Sequence, residues 1–136
     1  MIGIATRSSP PATVLVDTSV IIDHSRGDAG AETILERERV RGPLHASEIT
    51  RLEVLAGVRE SEAGGTRALL STLIWHSVDA IVAERASELG RTWLPSHQSI
   101  DGADLAIAAT AIIMEATLLT RNVRHFPMFP GLKTPY

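Results

Sequence analysis

The apolar positions of the chain alternate between short unbroken blocks and longer stretches with a helical period. Val14-Leu15-Val16 is an unbroken block, the pattern of a strand covered on both faces. Thr18 or Ser19 can cap a short helix after it, and Arg26-Gly27-Asp28 reads as a turn. From Ala31 to Arg41 the spacing predicts a helix with Ile34, Leu35 and Val40 on its apolar side, ended by Gly42-Pro43. Leu44-His45-Ala46 is a second short strand. Ser47 opens a helix whose apolar side is made by Ile49, Leu52, Leu55 and Ala56, with Glu53 at its margin. Gly64-Gly65 is a break, and Thr66 to Leu73 is helical again. Leu73 to Val78 predicts a strand, and Ala80 to Leu94 a helix stopped by Pro95. Asp101 to Ala116 is nearly all small and apolar after its first turn, which predicts a helix buried on most sides. Thr117 to Thr120 is the last strand, before a tail rich in Pro and Gly.

Strands separated by helices favour a short parallel sheet inside a three-layer α/β/α fold. In such sheets ligands collect beyond the carboxyl ends of the strands. Two of those ends carry polar residues: Asp17 after the first strand, and Thr120-Arg121-Asn122 after the last.

Length and composition narrow the class. The 136 residues suit one domain, expected over residues 14–136, after a flexible extension over residues 1–13 that contains Ser-Ser-Pro-Pro. The 44% hydrophobic and 21% charged content is that of a soluble globular protein. No cysteine is present, which excludes disulfides and thiolate metal sites. The longest apolar stretch, Leu105 to Met114, is too short to span a bilayer, and the first residues lack the apolar core of a signal peptide. A cytoplasmic protein without a membrane segment is expected. A formal net charge of −3 argues against a protein that coats nucleic acid, but not against an enzyme whose acids hold metal ions.

Four stretches carry candidate chemistry. Asp17-Thr18-Ser19 ends a buried strand on a carboxylate, which needs hydrogen bonds, a cation or a metal. In Ser47-Glu48-Ile49-Thr50-Arg51-Leu52-Glu53, the acid Glu53 borders an apolar side, and Gly57 further on suggests a close approach by another group. Asp101 and Asp104 share the first turn of the buried helix. One acid suffices as a cap, expected to be Asp101, leaving Asp104 as the surplus. The loop Thr120-Arg121-Asn122-Val123-Arg124-His125-Phe126 offers an amide, a histidine and two guanidinium groups. Arg121 and Arg124 are equally readable as phosphate ligands or as solvated loop charges. Three acids on one side of a sheet repel unless a cation joins them. Without thiolates, carboxylates select a hard ion such as Mg²⁺ or Mn²⁺. The histidines His24, His45, His76 and His97 fall in no ligand spacing. Trp75 and Trp93 suit a core or a subunit interface.

In combination, these motifs resemble those of the PIN-domain ribonucleases and, within them, the VapC toxins of toxin–antitoxin pairs. The combination is hydrophobic-Asp-Thr-Ser, Ser-x-x-Thr-x-x-Glu-x-x-x-Gly, Asp-Leu-x-Ile-Ala-Ala-x-Ala and Thr-x-Asn-x-x-His-Phe, spread from Val14 to Gly131. The resemblance implies a metal-dependent endoribonuclease acting on tRNA or ribosomal RNA, in which Asp17, Glu53 and Asp104 hold Mg²⁺ or Mn²⁺. Thr18 or Ser19 would position an acid or a water, with Asn122 and His125 in support. His125 stands where many members carry a fourth acid, so the resemblance leaves one metal or two open, with Asp101 as a replacement ligand. It also implies a homodimer and a VapB-type antitoxin whose C-terminal segment enters near the acids. The rival from another class is a catalytically inactive PIN-like module that binds RNA or protein. A phosphatase of the haloacid dehalogenase type would need an acid where Ser19 stands, and a receiver-like domain an acid beside Asp17.

Overall fold

Val14, Leu15 and Val16 form strand β1 and are all buried, because successive side chains leave opposite faces and both faces are covered. The computed structural model describes residues 12–136, so the extension expected over residues 1–13 lies, apart from Ala12 and Thr13, outside the described residues. The Thr13 carbonyl accepts the Thr117 amide at 2.7 Å, just ahead of the ladder between β1 and the last strand.

Helix α1 (Thr18–Ser25) follows β1 directly. Its cap is Asp17, not Thr18 or Ser19: the Asp17 carboxylate accepts the Ser19 amide. Helix α2 (Ala29–Arg41) begins two residues before the expected start because Asp28 caps it, accepting the Ala31 amide at 3.0 Å. Strand β2 (Leu44–Ser47) leads into α3 (Glu48–Gly57), and Ser47 caps that helix as the sequence suggests. A 3-10 turn at Glu60–Glu62 and helix α4 (Ala63–Leu70) precede β3 (Ile74–His76). Helices α5 (Ala80–Trp93) and α6 (Gly102–Met114), strand β4 (Thr117–Leu119) and a 3-10 turn at Val123–His125 complete the order.

The four strands are parallel and lie in the order β3-β2-β1-β4. Val14, Val16 and Leu119 pack into one core with Ile21, Ile34, Leu35 and Leu70. Leu15 and Leu118 pack into the other, against Ile107, Ala108 and Ala111 of α6 and Phe126. Two cores on two faces of one sheet make the three-layer α/β/α fold. Seven successive residues of α6, Leu105 to Ala111, are buried. Helix α5 closes over α6 at Gly90, where a Cβ would come within 3.2 Å of Leu105 Cδ1. Among the described residues no helix is long and apolar enough to cross a membrane.

Two expectations from periodicity fail, and so does one drawn from a glycine. Val40 is 80% exposed, since it lies nine positions after the buried Ala31, about half a revolution away at roughly 100° per residue. On α3 the buried residues are Thr50 and Val54, while Leu52 is 62% exposed. The buried stripe is turned because the Thr50 hydroxyl finds a partner in Thr18, 3.1 Å away, and so tolerates the core. Gly57 ends α3 with nothing within 4 Å of where a Cβ would sit, so no close approach explains it.

Candidate active site

Parallel strands place their carboxyl ends on one edge of the sheet, and the candidate residues collect there. Asp17 follows β1 and is 3% exposed. Its Oδ2 accepts the Ser19 amide at 3.4 Å, the Ser19 hydroxyl at 2.8 Å and the Thr120 hydroxyl at 2.8 Å. Both hydroxyls accept in turn from the loop after β4: the Arg121 amide donates to Ser19 Oγ at 3.0 Å, and the Asn122 amide to Thr120 Oγ1 at 2.9 Å. The acid is thus tied to that loop through two hydroxyl relays. None of these three donors reaches Asp17 Oδ1. On the neighbouring helix, Glu53 Oε1 accepts the Thr18 hydroxyl at 2.7 Å.

A cavity of about 220 Å³ is lined by Asp17, Thr18, Ser19, Ile22, Glu53, Asp101, Asp104, Asn122 and His125. Every acid and supporting residue singled out in the sequence therefore borders one space. Arg121 and Arg124 do not line it. The Arg121 guanidinium turns instead to Asp23, with Nη1 3.3 Å from Oδ2.

At the start of α6 the two aspartates cap the helix reciprocally. Asp101 Oδ1 accepts the Asp104 amide at 2.9 Å, and Asp104 Oδ2 accepts the Asp101 amide at 3.1 Å. Asp104 is therefore not surplus to the cap, as the sequence suggested; it serves the cap and the cavity together. His125 Nδ1 lies 3.2 Å from Asp104 Oδ2. Burial pushes the Asp104 carboxyl up to about 6, with the Asp101 charge adding to the rise and the Asp101 amide and His125 opposing it.

This shift has a measurable consequence. Between pH 3.8 and about 6 the folded protein holds more of the Asp104 proton than the unfolded chain does. Stability from this group falls as pH rises through that window, and the full penalty persists above it. In chelator-treated protein, the urea midpoint of Asp104→Asn relative to wild type is expected to rise from pH 3.8 to about 6 and then level off. Parallel pH courses of the two proteins would refute the assignment.

The donor set suits a hard divalent cation: carboxylates, hydroxyls and an amide oxygen, with no thiolate. The best-prepared candidate ligand is Asp17, with one oxygen anchored by three donors and the other outside those bonds. Among the described residues no three His, Asp or Glu side chains already converge on one point, so a three-acid cage would require a side-chain rotation.

Sequence reasoning passed over two hydroxyls. Thr120 and Thr50 are both fully buried, and both serve the acids through Asp17 and Thr18. The only signal for Thr120 was its place at a strand end. The histidines also need correction. His45 Nδ1 and His76 Nε2 are 2.8 Å apart on neighbouring strands, a pairing hidden by 31 residues of separation. Burial, and secondarily His76, lowers the pKa of His45. Trp75 packs against the larger core and donates Nε1–H to the Leu70 carbonyl at 3.1 Å.

Comparison with known proteins agrees with this fold. Residues 14–129 match the family model of the PIN domain. The chain is 46% identical over 123 residues to Ribonuclease VapC19 of Mycobacterium tuberculosis, covering 90% of this chain and 98% of that protein. It is 37% identical to Ribonuclease VapC10 of the same organism, covering 90% and 92%. Among solved structures, a toxin–antitoxin complex from Klebsiella pneumoniae superposes with a TM-score of 0.75 at 32% identity, covering 91% of this chain and 98% of that one. VapBC2 from Rickettsia felis, bound to a promoter DNA fragment, shares the fold with a TM-score of 0.72 at 24% identity, covering 90% and 96%. The chain belongs to the PIN-domain family and, within it, to the VapC group.

Proposed function

We propose that this chain, as a single PIN-like domain over residues 14–136, is a metal-dependent endoribonuclease that acts in the cytoplasm and is neutralised by a VapB-like antitoxin. The observation that carries this reading is Asp17: a buried carboxylate, half anchored by hydroxyls, bordering a cavity shared with Glu53, Asp101 and Asp104. The names of the curated relatives support the activity, and the toxin–antitoxin complex among the structural neighbours supports the partner. We further infer a homodimer.

Asp17, Glu53 and Asp104 would hold Mg²⁺ or Mn²⁺, with Asp101 a turn away as a further ligand. When bound, such an ion polarises the phosphoryl group and eases deprotonation of water. Ser19 and Thr120 fix the Asp17 carboxylate, and Thr18 fixes that of Glu53. Asn122 and His125 border the same space, where they can orient water by hydrogen bonds. Arg124, exposed on the loop that carries His125, would meet a flanking phosphate. Water attacks phosphorus in line with the departing 3′ oxygen. The new P–O bond forms as the old one breaks, and the 3′ oxygen takes up a proton, leaving a 5′-phosphate and a 3′-hydroxyl. Recognition would come from shape and unpaired bases, as in loops of tRNA or ribosomal RNA.

The test is direct. Purified protein freed of any partner is incubated with total RNA and with tRNA, in Mg²⁺ or Mn²⁺, or in chelator. Discrete fragments are expected with metal and none with chelator. Intact RNA in every metal-containing lane, from protein with a folded circular dichroism spectrum, would favour the catalytically inactive binding module.

A further inference from the structure

We propose that Tyr136 and Asp23 are positioning residues: with Arg121 they brace the loop after β4, so that Arg121 serves the acidic site from behind instead of gripping substrate phosphate. The kinetic arm of the test rests on the ribonuclease reading above; the structural arm does not.

Two contacts meet at Asp23, near the end of α1, and a third joins the two side chains that make them. The Tyr136 hydroxyl donates to its Oδ2 at 2.7 Å, and Arg121 Nη1 donates to the same oxygen at 3.3 Å. The Arg121 guanidinium also lies 4.5 Å over the Tyr136 ring. The charge of Arg121 is thus already balanced and one of its faces covered, a poor state for a phosphate ligand. Helix α2 makes room for the ring at one position. A Cβ on Gly30 would meet Tyr136 Cδ1 at 2.7 Å and Cβ and Cγ at 2.9 Å, so only glycine admits the ring there. Burial, reinforced by Asp23, holds the Tyr136 phenol well above its ordinary pKa, which keeps it a donor.

The main chain of Arg121 does the work at the site. Its amide donates to Ser19 Oγ, which donates to Asp17. One residue later, the Asn122 amide reaches Asp17 through Thr120. Anchoring the Arg121 side chain between α1 and Tyr136 therefore fixes the two amides that hold both hydroxyls.

The test uses Tyr136→Phe, Asp23→Asn and Arg121→Met in the full chain, with Mg²⁺ and an RNA that the wild type cuts, over a salt series. Tyr136→Phe keeps the ring in its place and removes only the hydroxyl. A brace predicts that all three lower kcat by a similar factor, about tenfold for displaced catalytic groups. KM is expected to stay within about twofold, with an unchanged salt slope. A phosphate ligand predicts a different pattern: Arg121→Met raises KM and flattens the salt slope by about 0.7, as expected for one lost contact to a single strand. Asp23→Asn would then lower KM by freeing the guanidinium. That pattern, or unchanged kinetics in all three, overturns the proposal. Amide hydrogen exchange is read in parallel on the same proteins. Tyr136→Phe is expected to speed exchange at Arg121 and Asn122 several-fold while leaving α6 unchanged, and equal exchange overturns the brace. If the wild type cuts no RNA, the ribonuclease reading fails and exchange alone decides the brace.

Discussion

Replacing Asp17 with alanine is expected to lower the RNA cleavage rate about a thousandfold or more while the protein stays folded. A cation at this site is asked to supply several kcal/mol of charge stabilisation, and each 1.36 kcal/mol lost is roughly tenfold in rate. In the proposed reading Asp17 would be its best-prepared ligand, so little of that stabilisation would survive without it. The structural cost is smaller. Alanine removes the cap of α1, worth about 1 kcal/mol, and leaves the Ser19 and Thr120 hydroxyls without their acceptor. It also relieves the folded state of a buried carboxylate beside three other acids. Asp17→Asn is the matched control, since an amide oxygen can keep the cap and both hydroxyl bonds while losing the charge. Single-turnover rates at saturating Mg²⁺, beside circular dichroism melts, check the expectation. If the alanine variant keeps more than about a tenth of the rate, the chemistry lies elsewhere.

Phe126→Ala is expected to cost the fold about 3–5 kcal/mol, the usual penalty for emptying a buried phenylalanine site. Phe126 is 1% exposed and fills the core under α6 with Leu15, Ile107, Ala108, Ala111 and Leu118. Phe129 packs nearby, with ring centroids 6.3 Å apart, and can only partly follow into the space. For a domain of this size the loss corresponds to a fall in Tm of about 10–20 °C. Phe126 also follows His125 directly, so the ring that fills the core anchors a residue that lines the cavity. Urea unfolding of the variant checks the figure. A loss under about 1 kcal/mol would mean that the loop refolds around the gap, and that His125 is not held from below.

What could be read from the chain depended on how local each signal was. The block Val14–Val16 and the seven buried residues of α6 were plain because burial on all sides leaves no polar interruption. Asp17 drew notice for the same reason, as a charge where the block should have ended in something neutral. Glu53 and Asp104 were singled out from the helix turns they occupy. The misreadings share a cause. Val40 and Leu52 are apolar residues on faces that no neighbour covers, and Thr50 is polar on a face that one does. Periodicity cannot tell these cases apart, because the deciding partner comes from elsewhere in the chain. The same holds for Thr120 with Asp17, His45 with His76, and Tyr136 with Asp23, which depend on strand order and helix placement.

The relay from Thr120 to Asp17 joins residues 103 positions apart. A ribosome translating at about 5–20 residues per second makes the acid roughly 5–20 s before the hydroxyl that steadies it. That hydroxyl directly follows strand β4, which is also the last strand to be made. The nascent chain can therefore bury much of its core while its acidic centre still lacks a wall. Cutting ability would arrive only once the β4 segment has cleared the exit tunnel, which keeps a chain aimed at RNA harmless to the machine that is making it.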